Sequence, residues 1–434
     1  MNSITTSITT SMLLVAVLAA VVPGIVRPAA FAGPESCVPE ALDCGPVLGD
    51  LTGTSVRIAC RRTRPGTIVI GLEDAAGVPV RRCLLACPAE SDGAGILEIV
   101  DLDPATRYRY TVDGISDPAW WFETLAEPEP SCRIVFGSCA DEQAGSSSVW
   151  RRIDADEASA LVLLGDTPYI DTTDLSPQRS RYREFARVPA FAELVAHTPL
   201  YSTWDDHDFG RNDTDGNLAG KENSRRAVME HRPNPGCGEA GAGIYTSFRQ
   251  GPVEVFLLDA RWFARTEGRD GDLTLLGRRQ WAWLERSLAA STAPFRILAC
   301  GMVFNGSVRP LKTDCWGAYP REYDRLIELI GRVGDEGVTL VSGDVHWSRV
   351  IRHDTAARLG HDLMEFVTSP IHEKLIAAAN PPHPGLVFSA GEVNSFLVVD
   401  AEVGGDTASM TLRIRNAAGR DLHTTRVERT LGGS

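Results

Sequence analysis

Apolar and polar positions follow two different patterns along the chain. Before about residue 125, short runs rich in β-branched and aromatic residues lie between Gly, Pro and Asp signals, as in SVRIAC and RYRYTVDG. Such runs are typical of strands. After residue 131, apolar runs such as ALVLLGD and GVTLVSGD alternate with longer segments in which apolar residues recur at helical spacing. The two patterns predict an all-β region followed by a layered α/β region.

The same patterns place the predicted domain boundaries. Within residues 33–125, LDPATRYRYTVDG resembles the corner and following strand of an immunoglobulin or fibronectin type III sandwich. The acidic, proline-rich segment 126–131 is a predicted linker. Residues 132–434 form the predicted α/β domain, to which the C-terminal runs SFLVVDAEV and SMTLRIRNA would add strands.

The first 32 residues resemble a secretory signal peptide. Met12–Val22 is apolar but too short to span a bilayer comfortably, and Ala30–Ala32 offers small residues for a signal peptidase. No Lys or Arg precedes the apolar segment, so an apolar N-terminal helix is the alternative. We predict that residues 1–32 are removed, that the mature chain is secreted or periplasmic, and that it keeps no transmembrane segment.

The overall charge narrows the choice of partner. The chain of 434 residues carries a formal net charge of −14 at pH 7. Such an acidic chain repels a phosphate backbone at long range, which argues against a nucleic-acid-binding face. A small anionic substrate can still bind where metal ions reverse the local field.

Ten cysteines in a secreted chain predict disulfides. Five of them fall within residues 37–87, which indicates cross-links inside the N-terminal domain. Cys237 and Cys315 both lie in glycine-rich loops and are candidates to pair. Cys300 lies in an apolar strand pattern and is the candidate for a buried free thiol.

Residues with metal-binding chemistry directly follow several predicted strands. The junctions read RIVF-GSC, LVLL-GDTPY and VTLV-SGDVH, and the stretch WDDHDFGRND at 204–213 follows LYST. In layered α/β folds, ligands collect beyond the carboxyl ends of strands. One strand–Gly–Asp junction is also an ordinary turn, but several of them together indicate a site.

These junctions supply donors for hard cations. The candidate ligands are Cys139, Asp166, Tyr169, Asp206, Asn212, Asp344 and His346. Carboxylate and phenolate oxygens suit a highly charged iron, and a thiolate adds further charge. Because so many anions exceed the needs of one divalent ion, we expect two metals that share a bridging carboxylate. Two ions about 3.5–4 Å apart would clamp a phosphoryl group for in-line displacement.

The order of the motifs GSC, GDxxY, WDDHD and SGDVH resembles the alkaline phosphatase D (PhoD) family of calcineurin-like metallophosphoesterases. GAGIYTSFRQGPVEVFLLDARWF and LTLLGRRQWAWLERSLAAS are also similar to that family, and the resemblance covers roughly residues 40–425. It implies a four-layer αββα metallophosphoesterase sandwich preceded by an all-β immunoglobulin/fibronectin-III-like domain. Gly301–Val303 lacks the histidine that many calcineurin-like enzymes carry there, which favours an oxygen-loving second ion.

The resemblance also assigns roles to the ligands. The first site would hold Fe(3+) through Cys139, Asp166, Tyr169 and His346. Asp166 would bridge to a second hard divalent ion, for which calcium is the expected metal and zinc or manganese are alternatives. Asp344 and one oxygen from the 204–213 loop, either Asp206 or Asn212, would complete the second site.

Plainer interpretations exist for some of these residues. Cys139 could be one more disulfide partner, and Tyr169 could be a packing residue. The histidines outside the motifs, among them His353 and His372, have no metal partner at short spacing and are expected to be structural.

Within the resemblance, His207 matches the loop histidine that faces the scissile bond. It would protonate the leaving alcohol or stabilise the transition state. Asp208 or Asp205 would orient its ring as a hydrogen-bond acceptor. The sequence therefore predicts His207 and Asp208 as the residues that assist catalysis.

The resulting hypothesis is a secreted, monomeric two-metal phosphatase or phosphodiesterase that hydrolyses small phosphate esters by in-line attack of a metal-bound hydroxide. A phospholipase D-type phosphodiesterase acting on a phospholipid at the same site is the alternative. An apolar rim would favour it, and the candidate rim residues are Trp120, Trp121, Trp262 and Trp316. A non-catalytic secreted binding protein is the third interpretation.

Overall fold

The computed structural model describes residues 42–267, 273–306, 312, 314–334, 337–372 and 374–431. These described residues belong to one compact unit. The predicted signal peptide, residues 1–32, lies outside the described residues. Within the described part of the chain, no helix is both long enough and apolar enough to cross a membrane.

In the described part of the N-terminal region, residues 42–125, strands are the regular elements, apart from one short 3-10 turn. They are β1 (Leu42–Gly49), β2 (Val56–Arg62), β3 (Gly66–Glu73), β4 (Pro79–Cys87), β5 (Ala94–Ile99), β6 (Arg107–Val112) and β7 (Ile115–Glu123). They pair antiparallel in two sheets, with the orders β1-β2-β5 and β4-β3-β6-β7. Ile58, Ile70 and Phe122 are buried in a core that both sheets share. The all-β character predicted for this region is therefore present.

The rest of the chain contains both strands and helices. Its strands are β8 (Ser131–Gly137), β9 (Ala160–Leu164), β10 (Leu200–Thr203), β11 (Thr246–Gln250), β12 (Val253–Leu257), β13 (Phe295–Cys300), β14 (Val338–Ser342), β15 (Ser348–Arg352), β16 (Met364–Val367), β17 (Leu386–Ala390), β18 (Ser395–Gly404), β19 (Thr407–Asn416) and β20 (Asp421–Thr430). Its helices are α1 (Ser147–Ala155), α2 (Leu175–Ala186), α3 (Pro189–Val195), α4 (Asp206–Phe209), α5 (Lys221–His231), α6 (Gly277–Ala290), α7 (Pro320–Val333) and α8 (Ala356–Leu359).

These strands form two large sheets. Sheet I has the order β10-β9-β8-β18-β19-β20, and sheet II has the order β11-β12-β13-β14-β16-β15-β17. The strands β8, β9 and β10 run parallel, as do β12, β13, β14 and β16. Because β18 pairs antiparallel with β8, the C-terminal strands extend sheet I, as the sequence predicts.

Alternating side chains stack the two sheets between helices. On β8, Ile134 faces a core between the sheets, whereas Val135 belongs to a core that includes residues of α1 and α3. On β13, Ile297 faces the shared core, whereas Leu298 packs with residues of α6 and α7. The runs ALVLL of β9 and FRILAC of β13 are wholly buried, as expected for parallel strands covered on both faces. The order of layers is therefore helix, sheet, sheet, helix.

The predicted disulfides are not formed among the described cysteines. All nine cysteines that the structure describes carry free thiols. Cys237 and Cys315 pack in two different apolar clusters, so the predicted pair is not made. Cys300 is fully buried as a free thiol, in agreement with the prediction.

Candidate metal centre

The strand–loop junctions predicted from the sequence meet at one place. Cys139, Asp166, Asp206 and Asp344 follow β8, β9, β10 and β14. In three groups around Asp166 the ligand atoms can lie within 4.8 Å of one another: Cys139, Asp166 and His346; Asp166, Asp206 and His207; and Asp166, Asp205 and Asp344. A fourth group of this kind joins Asp206, Asp213 and Asp314. Asp166 belongs to the first three groups, so its carboxylate stands where a bridge between two cations would be.

The backbone of this centre is unusual. Cys139, Asp166, Asp344 and His346 all have positive φ values, between 54° and 67°. Residues other than glycine seldom adopt this conformation, and it is concentrated at functional sites. The tight turns after β8, β9 and β14 aim these side chains at one another.

Cys139 is a buried thiol at the centre of the first group. Its Sγ lies 3.7 Å from Asp166 Oδ2 and 3.2 Å from Ser369 Oγ. Burial, and then the neighbouring Asp166, raise the pKa of the Cys139 thiol well above its ordinary value. The structure shows no disulfide at this residue.

Tyr169 and His372 lie on either side of His346 in the first group. Tyr169 Oη is 2.9 Å from His346 Nε2, and His346 Nδ1 is 3.1 Å from His372 Nε2. Burial, followed by the nearby His372, lowers the pKa of His346 to about 3. His346 is therefore a neutral imidazole, the form that binds metal ions. His372, expected from the sequence to be a structural residue, lies beside the site because its loop folds back against the turn after β8.

His207 contacts a different aspartate from the ones that the sequence suggested. Its Nδ1 lies 2.6 Å from Asp171 Oδ1, and its backbone N–H donates to Asp166 Oδ1 at 3.3 Å. The His207 side chain is 23% exposed, so it borders both the buried centre and solvent. Asp171 was missed, although GDTPYID places it only five residues after Asp166.

Asp205 and Asp208 hold the helix α4 instead of orienting His207. Asp208 Oδ1 accepts the backbone N–H of Asp205 at 2.6 Å, and the two residues form a capping box. Burial raises the pKa of Asp208 to about 7. The predicted role of Asp208 beside the imidazole is therefore corrected to a role in the backbone of the loop.

The geometry favours Asp206 over Asn212 as the ligand from this loop. Asp206 is buried, and its Oδ1 has no hydrogen-bond partner among the described residues, while its Oδ2 accepts the N–H of Asp213. Although burial opposes ionisation, the charges of Arg261 and His207 hold the pKa of Asp206 below its usual range. Asn212 is exposed. A buried, ionised oxygen without a partner is the atom that a cation would satisfy.

Two cationic side chains lie beside the second group. Lys312 Nζ is 3.3 Å from Asp344 Oδ1. Arg261 is fully buried and binds Asp205 through Nε at 2.6 Å and both oxygens of Asp314 at 2.8 Å. Arg261 is therefore a structural counter-charge and does not face solvent as a phosphate contact would.

A buried carboxylate ties together two loops near the second group. Glu365 on β16 accepts the backbone N–H groups of Phe304 and Asn305 at 2.8 and 3.0 Å. It also contacts Ser342 Oγ at the end of β14 (2.6 Å) and His353 Nε2 (2.9 Å). Although burial opposes ionisation, the hydrogen bond from His353 holds the pKa of Glu365 below its usual range. Glu365 thus fixes the ends of β13 and β14 relative to each other.

The sequence of this chain matches a known protein family over the region that carries the centre. A model of the PhoD-like phosphatase family matches residues 134–387, more than half of the chain. The chain belongs to the PhoD-like phosphatase family. The matched range includes every candidate ligand and His207.

Relatives of this PhoD-like chain agree with that assignment. It is 23% identical over 295 residues to alkaline phosphatase D of Bacillus subtilis (strain 168), a match that covers 56% of this chain and 51% of that protein. The chain thus spans about half the length of this curated relative. A solved structure of PhoD has the same fold, with a TM-score of 0.72, 18% identity and 89% of each chain covered. A dimetal phosphatase from Danio rerio is more distantly similar, with a TM-score of 0.43 and 13% identity over 70% of this chain and all of that one.

The residues of this PhoD-like site fit hard, highly charged cations. Burial and the neighbouring Asp206 and Asp205 raise the pKa of Asp166 well above its usual range, and burial raises that of Asp344 to about 6. Such packed carboxylates repel one another until a cation or a proton lies between them. The unpartnered Asp206 oxygen and the thiol of Cys139 add the donors that such a cation would need.

Proposed function

We propose that this chain is a two-metal hydrolase of phosphate esters, a phosphatase or phosphodiesterase. The observation that carries the proposal is the position of the Asp166 carboxylate. It belongs both to the group with the Cys139 sulfur and the His346 nitrogen and to an all-oxygen group. Cys139, Tyr169 and His346 would hold Fe(3+) with Asp166. Asp344, from the all-oxygen group, and Asp206, which joins Asp166 in a separate group, would hold a calcium or similar ion. When bound, two such cations lower the pKa of a shared water and neutralise charge on phosphoryl oxygens.

In this proposal His207 supplies the proton that the leaving alcohol needs. Asp171 accepts the hydrogen on Nδ1, so Nε2 is the atom left to act on substrate. The ring centroid of His207 lies 4.7 Å from that of Tyr169, which places the imidazole beside the first group. A negative charge on Asp171 stabilises the protonated imidazole, which is the acid form.

The phospholipase alternative finds no support in the four tryptophans that could have formed an apolar rim. Trp120, Trp262 and Trp316 are buried in the cores. Trp121 stacks on His197 and lies under the guanidinium of Arg107 in the N-terminal region. We therefore place a small, soluble phosphate ester first among the substrates.

A substrate panel with metal analysis tests the proposal. Aryl phosphate monoesters, diesters and phospholipid vesicles are incubated with one preparation, before and after treatment with a strong chelator. We expect hydrolysis of a soluble ester that is lost with the metals and returns when they are restored. A preparation that retains no metal, or that hydrolyses only vesicles, contradicts the corresponding part of the proposal.

Two variants separate catalysis from metal binding. His207→Ala should keep the metal content and slow turnover, whereas a loss of metal would remove His207 from its proposed role. His197→Ala is the matched control, because His197 contacts Trp121 and Asp154 instead of the centre.

Export and domain division remain part of the proposal. The apolar segment before Ala30–Ala32 supports cleavage after residue 32 and secretion, and we propose that the secreted chain is a monomer. We also propose the division into 33–125, a linker at 126–131, and 132–434. N-terminal sequencing of the exported protein and its elution volume in size-exclusion chromatography test the first two points.

A further inference from the structure

A short loop after β16 is fastened to the turn that carries Cys139. The N–H of Ile371 donates to Ser138 O at 3.0 Å, and the N–H of His372 donates to Cys139 O at 3.1 Å. The His372 side chain is buried, with 3% of the residue exposed. Its ring centroid lies 4.7 Å from that of His346 and 5.7 Å from that of Tyr169. His372 therefore packs directly behind the first metal group.

The surroundings of His346 decide which of its nitrogens carries the hydrogen. His346 Nδ1 lies 3.3 Å from the backbone oxygen of Lys374. Because a carbonyl oxygen only accepts hydrogen bonds, this contact requires the hydrogen on Nδ1. The same N–H points at His372 Nε2, 3.1 Å away, which must then accept. His346 Nε2 is thereby left without a hydrogen, and its lone pair accepts the Tyr169 hydroxyl at 2.9 Å.

The hydrogen of His372 must accordingly lie on its other nitrogen. His372 Nδ1 faces Asp141 Oδ2 at 3.5 Å, and the Asp141 side chain is only 18% exposed. The two imidazoles are thus joined by a hydrogen bond, and the Asp141 carboxylate lies within ion-pair distance of His372 Nδ1 without a hydrogen bond to it. Carboxylate–histidine pairs behind metal ligands commonly orient those ligands.

We propose that His372 is a positioning residue that holds His346 with Nε2 directed at the first metal, and that Asp141 in turn holds His372. This inference rests on the proposed two-metal function. It gives a role to a histidine that lies 26 residues beyond His346 in the chain and belongs to none of the sequence motifs. His372 itself is not a ligand, because both of its nitrogens are directed at protein groups.

Cobalt(II) binding to the metal-free full-length chain tests the inference without any activity measurement. A cobalt ion held by a thiolate absorbs visible and near-ultraviolet light, so the titration reports the first site. We expect His372→Ala to weaken cobalt binding by about 10–100-fold and to change the absorption of the bound ion. His372→Gln should restore most of the affinity, because its amide oxygen can reach the position of Nε2 and accept from His346.

Control variants separate positioning from packing. His231 is a half-buried histidine that stacks on Tyr182 and contacts the backbone oxygen of Ala227, so His231→Ala should leave cobalt binding unchanged. If His372→Ala binds as the unchanged chain does, or if His372→Gln is as weak as His372→Ala, the positioning role is overturned. If the unchanged chain itself gives no thiolate-dependent absorption, the proposed metal site fails instead.

Discussion

Replacing Asp171 by Asn should slow turnover several-fold, whereas replacing His207 by Ala should slow it far more. Asp171→Asn keeps a hydrogen-bond acceptor 2.6 Å from His207 Nδ1 but removes the charge that stabilises a protonated ring. The backbone tolerates the change, because Asp171 has a φ of 61°, a conformation that Asn adopts readily. His207→Ala removes the proton donor itself.

The exposure of the pair sets the expected magnitude. The Asp171 side chain is 57% exposed and that of His207 is 23% exposed. Hydrogen bonds to charged groups contribute about 1.5–3 kcal/mol, and exposed ion pairs about 0.2–1 kcal/mol. With one partner mostly in solvent, we expect about 1 kcal/mol, or roughly 5-fold in kcat, since about 1.4 kcal/mol is tenfold. Loss of a general acid costs about 10²–10⁴-fold.

Leaving groups of different basicity sharpen the test. An alcohol with a low pKa departs without protonation, so the defect of His207→Ala should grow along a series of esters as the pKa of the leaving alcohol rises. In the double variant, Asp171→Asn should add little to His207→Ala, because both changes act through one imidazole.

The assay is steady-state kcat for the unchanged chain, both single variants and the double variant, with metal content measured for each. Asp174→Asn is the control, because Asp174 is an exposed aspartate three residues further along the same loop. A loss in Asp171→Asn as large as that in His207→Ala, or an additive double variant, would refute the reasoning. Asp171 would then act on substrate or metal directly.

Three further changes test the surroundings of the centre. Burial and Asp166 raise the pKa of Cys139, so a bound cation must displace the thiol proton. The Cys139→Ser variant should therefore release about one proton fewer than the unchanged chain when cobalt binds. Calorimetry in buffers of different ionisation enthalpy measures the number of protons released. Glu365→Gln leaves a buried N–H without its acceptor and should lower the free energy of unfolding by about 3 kcal/mol in urea at neutral pH. The pKa of Glu365 is lower in the folded than in the unfolded chain, so its ionised carboxylate stabilises the fold at pH values above the unfolded-state pKa of about 4.3. This stabilisation is lost as the pH falls through the folded-state pKa, so the difference in unfolding free energy between Glu365→Gln and the unchanged chain should shrink in acid. Arg261→Met strands two buried carboxylates and should cost about 3–5 kcal/mol, whereas Arg286→Met, from an exposed pair, should cost under about 1 kcal/mol in the same urea assay.

The sequence predicted the centre where local pattern and chain direction determine position. The turns after β8, β9 and β14 carry Cys139, Asp166 and Asp344, and parallel strands bring their carboxyl ends to one edge. At each of these junctions a buried apolar run is followed by Gly or Ser and then by a ligand. Because this pattern occupies only a few consecutive residues, it can be recognised in the sequence. The layered fold was predictable for the same reason, because its strands are continuous apolar runs.

Contacts made by distant segments could not be predicted in this way. His372 and Lys312 reach the centre on loops whose paths depend on tertiary packing, and no spacing rule connects them to their partners. The disulfide prediction rested on the inferred compartment and on the number of cysteines. Neither the compartment nor the number of cysteines determines where Cys237 and Cys315 lie in the fold, and the two residues pack in separate clusters.

The acidic loop at 204–213 shows how local backbone geometry divides one motif between several tasks. Successive residues of a helix point about 100° apart, so Asp206 and His207, adjacent in α4, leave the helix in different directions, although one nitrogen of His207 stays within 4.8 Å of a carboxylate oxygen of Asp206. Asp206 is buried toward Asp166, while His207 turns to the surface and Asp171. That divergence exists only if the single turn of helix is formed, and the capping pair Asp205–Asp208 supplies its first hydrogen bonds. The two aspartates that touch neither substrate nor imidazole therefore determine where the ligand and the acid point, so Asp208→Ala should disturb metal binding and turnover together.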